Sequence, residues 1–156
     1  MKSVGSMNSL RGIEVEKIVA GKYNGTLPCD HVRYDIELEE SLLEVKSCLD
    51  WHFYSRGLRR YPGRFLINKE YHKNFKKIAD EKNKRAIYVF VKIPRYDSGA
   101  IEEDPKEFQE AWMKWEHVEK LVNDPNKVGI VKSRLRDDFV RYYYAVRLEH
   151  IFGNNH

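Results

Sequence analysis

Apolar side chains recur along the 156 residues with two periods, one typical of helices and one typical of strands. Spacings of three and four predict helices over about residues 10–22, 69–83 and 105–122. Ser9 is placed to cap the first helix and Gly25 to end it, while Pro105 suits the first turn of the third. The helices are therefore expected at the start, in the middle and in the final third of the chain.

Alternating and short continuous apolar runs predict strands over residues 31–38, 41–48, 64–67, 86–93 and 128–131. The run AIYVFVKI, residues 86–93, is the clearest buried strand, and Pro94 ends it. Only Glu39 and Glu40 separate the first two runs, which predicts a hairpin, although this pair is poor chemistry for a tight turn. Residues 51–63 predict an irregular basic loop, and residues 134–151 suit either a helix or a long alternating strand. This order predicts an α/β domain with a mixed sheet.

The composition favours a single folded domain. The chain is 42% hydrophobic and 13% aromatic, which is enough apolar material for a core and unlike a disordered chain. We expect residues 1–9 to be frayed and residues 10–152 to form one domain. Its core is expected in residues 10–93, with a helical, variable C-terminal part in residues 102–152.

The cysteine count and the apolar runs exclude other classes. Two cysteines are too few for a disulfide scaffold, and no Cys/His pattern predicts a zinc site. No segment approaches the roughly 18 apolar residues that a membrane span needs. We therefore expect no membrane partner and a reduced, cytoplasmic setting in an archaeal, bacterial or viral host cell.

The distribution of charge is more informative than the net charge of +4, which favours a polyanionic partner only weakly. Basic residues cluster over 56–64 and 69–85. Cations that neutralise phosphates suit a DNA-contacting surface when they lie beside aromatic rings such as Trp51, Tyr54 and Tyr61, although an ordinary solvated loop has the same composition. The cations assigned to this surface are Arg56, Arg59, Arg60, Arg64, Lys69 and Lys73.

The segment YDIELEESLLEVKSC, residues 34–48, combines reactive side chains with a predictable geometry. Because side chains alternate across a strand, Glu44 and Lys46 share one face of the second run, while Leu43 and Val45 face the core. In the first run Asp35 points away from the apolar face, which is formed by Val32, Tyr34, Ile36 and Leu38. Pairing of the two runs can bring Asp35 beside Glu44. The competing interpretation is a solvated hairpin face on which Glu44 and Lys46 merely neutralise each other.

Two carboxylates and an ammonium suit the hydrolysis of phosphodiesters. Carboxylate oxygens hold Mg²⁺ in octahedral geometry and leave positions for water and phosphate. The metal lowers the pKa of bound water and neutralises charge that develops on the phosphate. Lys46 would orient or deprotonate the attacking water, and arginine in its place would keep the charge but lose that proton chemistry. Mg²⁺ is the expected cofactor, with Mn²⁺ as a substitute.

At these residues the sequence resembles the PD-(D/E)XK nuclease superfamily, which includes many restriction enzymes and archaeal Holliday junction resolvases. The resemblance covers about residues 10–93 and implies a restriction-endonuclease-like fold, a mixed central β-sheet flanked by helices. It also implies metal ligation by Asp35, Glu44 and the carbonyl of Val45, with Lys46 catalytic. Tyr34 stands where the family pattern has proline. The family often adds a glutamate from the first helix, and RGIEVEK, residues 11–17, points to Glu16, with Glu14 as the alternative.

The leading hypothesis is a Mg²⁺-dependent DNA endonuclease with an Asp…Glu-x-Lys site. A Holliday junction resolvase of the same fold is the first alternative, and a homodimer would suit either enzyme because symmetric cutting needs two sites. A nucleic-acid-binding module without catalysis, or with RNA as its target, is the second. A structural protein that binds a partner through its aromatic C-terminal half is the third.

Overall fold

The computed structural model describes residues 4–28, 34–54, 59–134 and 139–153. The chain forms an α/β fold whose mixed sheet is flanked by helices, as predicted. The helices are α1 (Val4–Lys22), α2 (Lys69–Glu81), α3 (Trp115–Val122) and α4 (Glu149–Phe152), with a 3₁₀ turn at Pro105–Glu107. The strands are β1 (Ile36–Glu37), β2 (Ser41–Leu49), β3 (Trp51–Phe53), β4 (Arg60–Pro62), β5 (Arg64–Asn68), β6 (Arg85–Ile93), β7 (Gln109–Lys114), β8 (Gly129–Arg134) and β9 (Val140–Arg147).

The central sheet has the strand order β1-β2-β6-β7. β2 and β6 are parallel over nine residue pairs, whereas β1 and β7 lie antiparallel at the two edges. β5, β9 and β8 form a separate antiparallel sheet of three strands, and β3 pairs with β4 in a short hairpin. Parallel strands need a long crossover connection, and the one between β2 and β6 contains β3, β4, β5 and α2.

The two faces of the central sheet are covered by different elements. α1 packs on one face, where its buried Val15 and Val19 meet apolar side chains of β1, β2 and β6. The other face packs against α2, α3 and the three-stranded sheet around Tyr88, Phe65 and Phe75. β2 and β6 therefore contribute to the core on both faces, which explains the continuous apolar run of β6, while Glu44 and Lys46 interrupt that of β2.

Several predicted elements are confirmed within these ranges. α2 and β6 lie within a few residues of their predicted bounds, and the Asn68 side chain caps α2 by accepting hydrogen bonds from the backbone N–H groups of Glu70 and Tyr71. The hairpin of β1 and β2 is also present. Its turn is Glu39–Glu40, because the Leu38 N–H donates to the Ser41 carbonyl at 2.8 Å. Part of the first predicted run, residues 31–33, lies outside the described residues.

Other predicted elements are wrong. α1 begins at Val4, so Ser9 lies inside the helix instead of capping it. Residues 51–63 form the β3–β4 hairpin instead of an irregular loop. The helix predicted over residues 105–122 is a 3₁₀ turn, strand β7 and helix α3 in succession. β7 forms because β6 offers it a full antiparallel ladder, which places Ala111 and Met113 against the core.

The C-terminal part is mostly extended instead of helical. The strand alternative for residues 134–151 is correct over β9, which pairs with both β5 and β8, and only the short α4 follows it. One face of β9 is buried through Tyr144 and Val146. Pairing on both edges and burial on one face override the helical interpretation of this segment.

Candidate active site

Asp35 is fixed to the edge of β2 by two hydrogen bonds. Its backbone N–H donates to the Leu43 carbonyl at 2.9 Å, and its carboxylate Oδ2 accepts from the Val45 N–H at 2.7 Å. The Asp35 side chain thus lies along the sheet edge, where it takes the place of a further residue of β1. Because the N–H and C=O of one strand residue point to the same side, the Val45 carbonyl also faces the Asp35 side of β2.

The backbone bends at Asp35, which corrects the predicted face of the first run. Ile36 packs in the cluster under α1, as expected of an inward residue, but Tyr34 packs in the cluster on the opposite face of the sheet. Regular alternation holds only within a strand, and β1 has only two residues. Leu43 and Val45 are buried, as predicted.

Glu44 and Lys46 share a face of β2 and form an ion pair of 2.9 Å between Lys46 Nζ and Glu44 Oε1. Their side chains are only 14% and 25% exposed, because Leu42 and Cys48 on the same face belong to the core. The ion pair agrees with the competing interpretation, whereas the low exposure of both side chains does not fit a solvated face. Largely buried ion pairs lose much of their Coulombic gain to desolvation, so this pair is a weak contributor to stability.

Glu16 reaches the same place from α1. It is half-buried next to Val15, and Asp35 donates a hydrogen bond to its carboxylate. Burial raises the pKa of Glu16, and the charge of Glu44 raises it further. Glu14 is exposed. The structure thus brings Glu16 to Asp35 and Glu44, and leaves Glu14 on the solvent side of the helix.

The electrostatics of this cluster show an excess of negative charge. Burial, then the charges of Glu44 and Glu16, raise the pKa of Asp35 to about 8, so Asp35 is mostly protonated at neutral pH. Burial alone would lower the pKa of Lys46, but Glu44 and Asp35 outweigh it and raise that pKa. Lys46 therefore remains an ammonium and balances only one of three neighbouring carboxyl groups.

The donor chemistry of this cluster fits a hard divalent cation. Asp35, Glu44 and the Val45 carbonyl provide oxygen donors, which Mg²⁺ prefers. Within residues 4–28, 34–54, 59–134 and 139–153, no three His, Cys, Asp or Glu side chains form a ready ligand set. The donors that the resemblance implies are two carboxylates and a backbone carbonyl, and one of these carboxylates, Glu44, pairs with Lys46.

The predicted DNA-contacting cations lie in different environments. Arg64 is exposed and lines a cavity that Lys46 also lines. Arg60 already has partners within the protein. Its guanidinium pairs with Asp97 Oδ1 at 2.8 Å, and its Cζ lies 3.9 Å from the centroid of the Trp51 ring. Arg59 is exposed on the hairpin.

The two lysines form a separate group. Lys69 and Lys73 line another cavity together with Arg141 of β9. Arg56 lies outside the described residues. Of the assigned cations, the structure brings Arg64 to the cavity beside Lys46.

Sequence reasoning missed two residues of this region. Arg11 and His52 line the same cavity as Lys46 and Arg64. Arg11 lies one helical turn before the buried Val15, and this spacing is the one local signal that could have found it. His52 had no such signal, since it reaches the cavity only through the β3–β4 hairpin.

No family model, curated protein or solved structure matches the chain. Among the described residues, no helix is both long enough and apolar enough to cross a membrane. Any functional conclusion must therefore come from the side chains and their geometry.

Proposed function

We propose that this protein is a Mg²⁺-dependent nuclease that hydrolyses phosphodiester bonds in DNA. Asp35, Glu44 and the Val45 carbonyl would hold the metal, and Lys46 would act on the phosphate and the attacking water. The resemblance to the PD-(D/E)XK superfamily at these positions agrees with this assignment. The single observation that carries the proposal is the convergence of Glu16, Asp35, Glu44 and Lys46 just before the first residue of β1, beside the part of β2 that β1 does not cover.

This convergence of charged groups destabilises the folded chain when no cation is bound. Three carboxyl groups and one ammonium leave unbalanced charge in a region largely withdrawn from water, and such groups raise the free energy of the folded chain. Folds retain such arrangements mainly where the site binds or transforms a ligand. A divalent cation would neutralise the excess charge.

Each side chain has a distinct part in the proposed reaction. When bound, Mg²⁺ would lower the pKa of a coordinated water and offset the charge of the phosphate. Lys46, kept as an ammonium by its acidic neighbours, is suited to donate hydrogen bonds to a phosphate oxygen as negative charge develops there. Glu16 accepts a hydrogen bond from Asp35 and thereby orients it.

Cleavage assays with Mg²⁺ or Mn²⁺ test the assignment. We expect Asp35→Ala, Glu44→Ala and Lys46→Ala each to lower the cleavage rate at least about 100-fold, because the first two would each remove a metal ligand and the third the ammonium that stabilises charge on the phosphate. Glu39→Gln, in the exposed turn of the hairpin, is the matched control and should cut normally. Wild-type rates in the three site variants, with folding intact, would reject the proposal.

The choice of substrate separates the related hypotheses. Plasmid duplex, single-stranded DNA, a four-way junction and RNA should be compared side by side. Preference for the junction, together with a dimer in solution, would identify a resolvase. Binding that weakens with salt but leads to no cleavage with either metal would identify a non-catalytic module.

A cytoplasmic location is part of the proposal. Cys48 is a free, buried thiol, which suits a reducing compartment. Localisation of a tagged chain in cells tests this point.

A further inference from the structure

A cavity of about 350 Å³ opens beside Lys46, along the part of β2 that β1 does not cover. Within β2, β1 pairs with Leu42 and Leu43, so the edge of β2 beyond the Asp35 side chain borders this space. Its walls come from α1, β2, the β3–β4 hairpin and β5. Side chains that line it include Arg11, Lys46, His52, Tyr61, Arg64 and Leu66.

The charge of this cavity is positive and mostly unbalanced. In the described part of the chain, no carboxylate forms an ion pair with Arg11 or Arg64. Burial, then the charge of nearby Arg95, lowers the pKa of Arg11. Burial and the same group of arginines also lower the pKa of His52. Two guanidinium groups without a paired carboxylate, which line one cavity, are suited to an anion, and a phosphate accepts their paired donors well.

One wall of the cavity is aromatic. His52 and Tyr61 lie directly opposite each other in the β3–β4 hairpin, with ring centroids 5.3 Å apart and ring planes within 20° of parallel. The tilted ring of Tyr54 also contacts Tyr61, with ring centroids 4.8 Å apart. Rings fixed in this way are suited to stack on a nucleobase.

The volume of the cavity favours a nucleotide over a bare anion as its ligand. Its volume falls at the lower end of the roughly 300–1,000 Å³ typical of small-molecule sites, which is far more than a phosphate group fills. A base inside a duplex already stacks on its neighbours and cannot also stack on a protein ring without leaving the helix. The combined chemistry of guanidinium groups, aromatic rings and limited volume therefore favours an unpaired nucleotide.

We propose that this cavity binds one unpaired nucleotide of the strand to be cut, with its phosphate on Arg11 and Arg64 and its base on the His52–Tyr61 wall. The inference rests on the proposed nuclease function, since the cavity adjoins Lys46. It narrows the substrate class to nucleic acid with an unpaired nucleotide next to the scissile phosphate, such as a single strand, a flap or a frayed end.

Binding without catalysis tests this inference. A labelled single-stranded DNA oligonucleotide and the same sequence as a full duplex are titrated with the protein in EDTA at several salt concentrations. Wild-type protein should bind the single strand more tightly. Arg11→Ala and Arg64→Ala should weaken single-strand binding and flatten its salt dependence, by about 0.7 in the log–log slope for each lost phosphate contact.

Substitutions of Tyr61 distinguish the binding of a whole nucleotide from the binding of a phosphate alone. Tyr61→Ala should weaken single-strand binding about tenfold while leaving the salt slope unchanged, because stacking releases no counterions. Tyr61→Phe keeps the ring and should bind as the wild type does. The matched controls are Lys114→Ala and Trp112→Ala on β7, at the other edge of the central sheet from β1, both exposed, and neither should change the affinity.

Each outcome decides the inference. Equal affinity for the two DNA forms, no detectable binding, or wild-type binding by Tyr61→Ala would overturn it, and so would controls that weaken binding as much as the cavity variants. Loss of affinity in the arginine variants alone would reduce the cavity to a phosphate site and reject the nucleotide. The nuclease proposal fails independently, because its test is the cleavage rate of the Asp35, Glu44 and Lys46 variants.

Discussion

Replacing Asp35 by asparagine should stabilise the metal-free protein, although Asp35 belongs to the proposed active site. Asparagine has nearly the shape of aspartic acid, and its side-chain oxygen can still accept the hydrogen bond from the Val45 N–H. Its amide N–H can also donate to Glu16, as the Asp35 carboxyl group does. The substitution therefore removes the charge and keeps the contacts.

The size of the effect follows from the pKa of Asp35. Folding raises it from an ordinary value of 3.8 to about 8, so the folded chain binds a proton that the unfolded chain releases over this interval. Stability from this group is complete below about pH 4 and is lost as the pH rises towards 8. Each unit is worth about 1.4 kcal/mol, which sets an upper limit of about 4 kcal/mol at pH 7. Since Glu16 and Glu44 titrate together with Asp35, we expect about half of that, or about 2 kcal/mol.

Thermal and urea unfolding in EDTA measure this difference. At about pH 7 the melting temperature of Asp35→Asn should exceed that of the wild type by about 5 °C. The gap should shrink as the pH falls towards 4. Added Mn²⁺ or Mg²⁺ should raise the melting temperature of the wild type by mass action and leave that of the variant nearly unchanged. Glu39→Gln, with its side chain in the exposed turn, controls for the loss of any one carboxylate.

Two results would refute the reasoning. If Asp35→Asn is no more stable than the wild type in EDTA at neutral pH, the carboxylate cluster is not strained. If both proteins respond equally to the metals, Asp35 is not a ligand. A stability gap that is independent of pH would show that the gain comes from packing instead of charge.

Two further substitutions, Gly63→Ala and His72→Gln, test what stabilises the fold that holds the candidate site. A Cβ on Gly63 would lie 1.8 Å from the Leu49 carbonyl oxygen, so Gly63→Ala should cost at least about 2 kcal/mol in urea unfolding. Gly129→Ala, where a Cβ meets no atom within 4 Å, should cost little, and equal costs would contradict the clash. Burial lowers the pKa of His72 despite its 2.5 Å contact with Glu119, so this group stabilises the neutral-pH fold and its contribution is lost as the pH falls below about 6.5. Wild-type stability should therefore decline more steeply than that of His72→Gln between about pH 7 and 5, and parallel curves would count against a buried neutral histidine.

Elements with one strong local signal could be predicted from the sequence. α2 has an amphipathic pattern and a capping Asn68, and β6 is apolar throughout, so the predicted bounds of both agree with the structure within a few residues. The segment over residues 105–122 carries signals for both periods. Only the free edge of β6 decides that Gln109–Lys114 is a strand, and that edge is a property of the assembled sheet.

The candidate site also has one part that local sequence predicts and one part that it does not. Asp35, Glu44 and Lys46 lie close together in the sequence, so a short hairpin brings them together, with alternation on β2 aligning Glu44 and Lys46 and the bend at Asp35 turning its side chain to the β2 edge. The cavity beside them is built by α1, the β3–β4 hairpin and β5, which are far apart along the chain. No local pattern predicts that Arg11 and His52 meet there, because their proximity depends on how three separate elements pack.

The candidate site depends on the late start of β1 at Ile36, because no strand of the described residues pairs with the edge of β2 beyond Leu43. Of β2, Leu42 and Leu43 pair with β1, and the Asp35 side chain takes the next hydrogen bond, from the Val45 N–H. A longer β1 would use the Val45 carbonyl and the edge beyond it for strand pairing, and so close the space beside Lys46. A slip of one residue in the hairpin would instead turn the apolar side chains of β1 to the wrong face and move Asp35 away from Val45. The two-residue turn at Glu39–Glu40 fixes that register, so an unremarkable turn determines whether the acids and the ammonium meet.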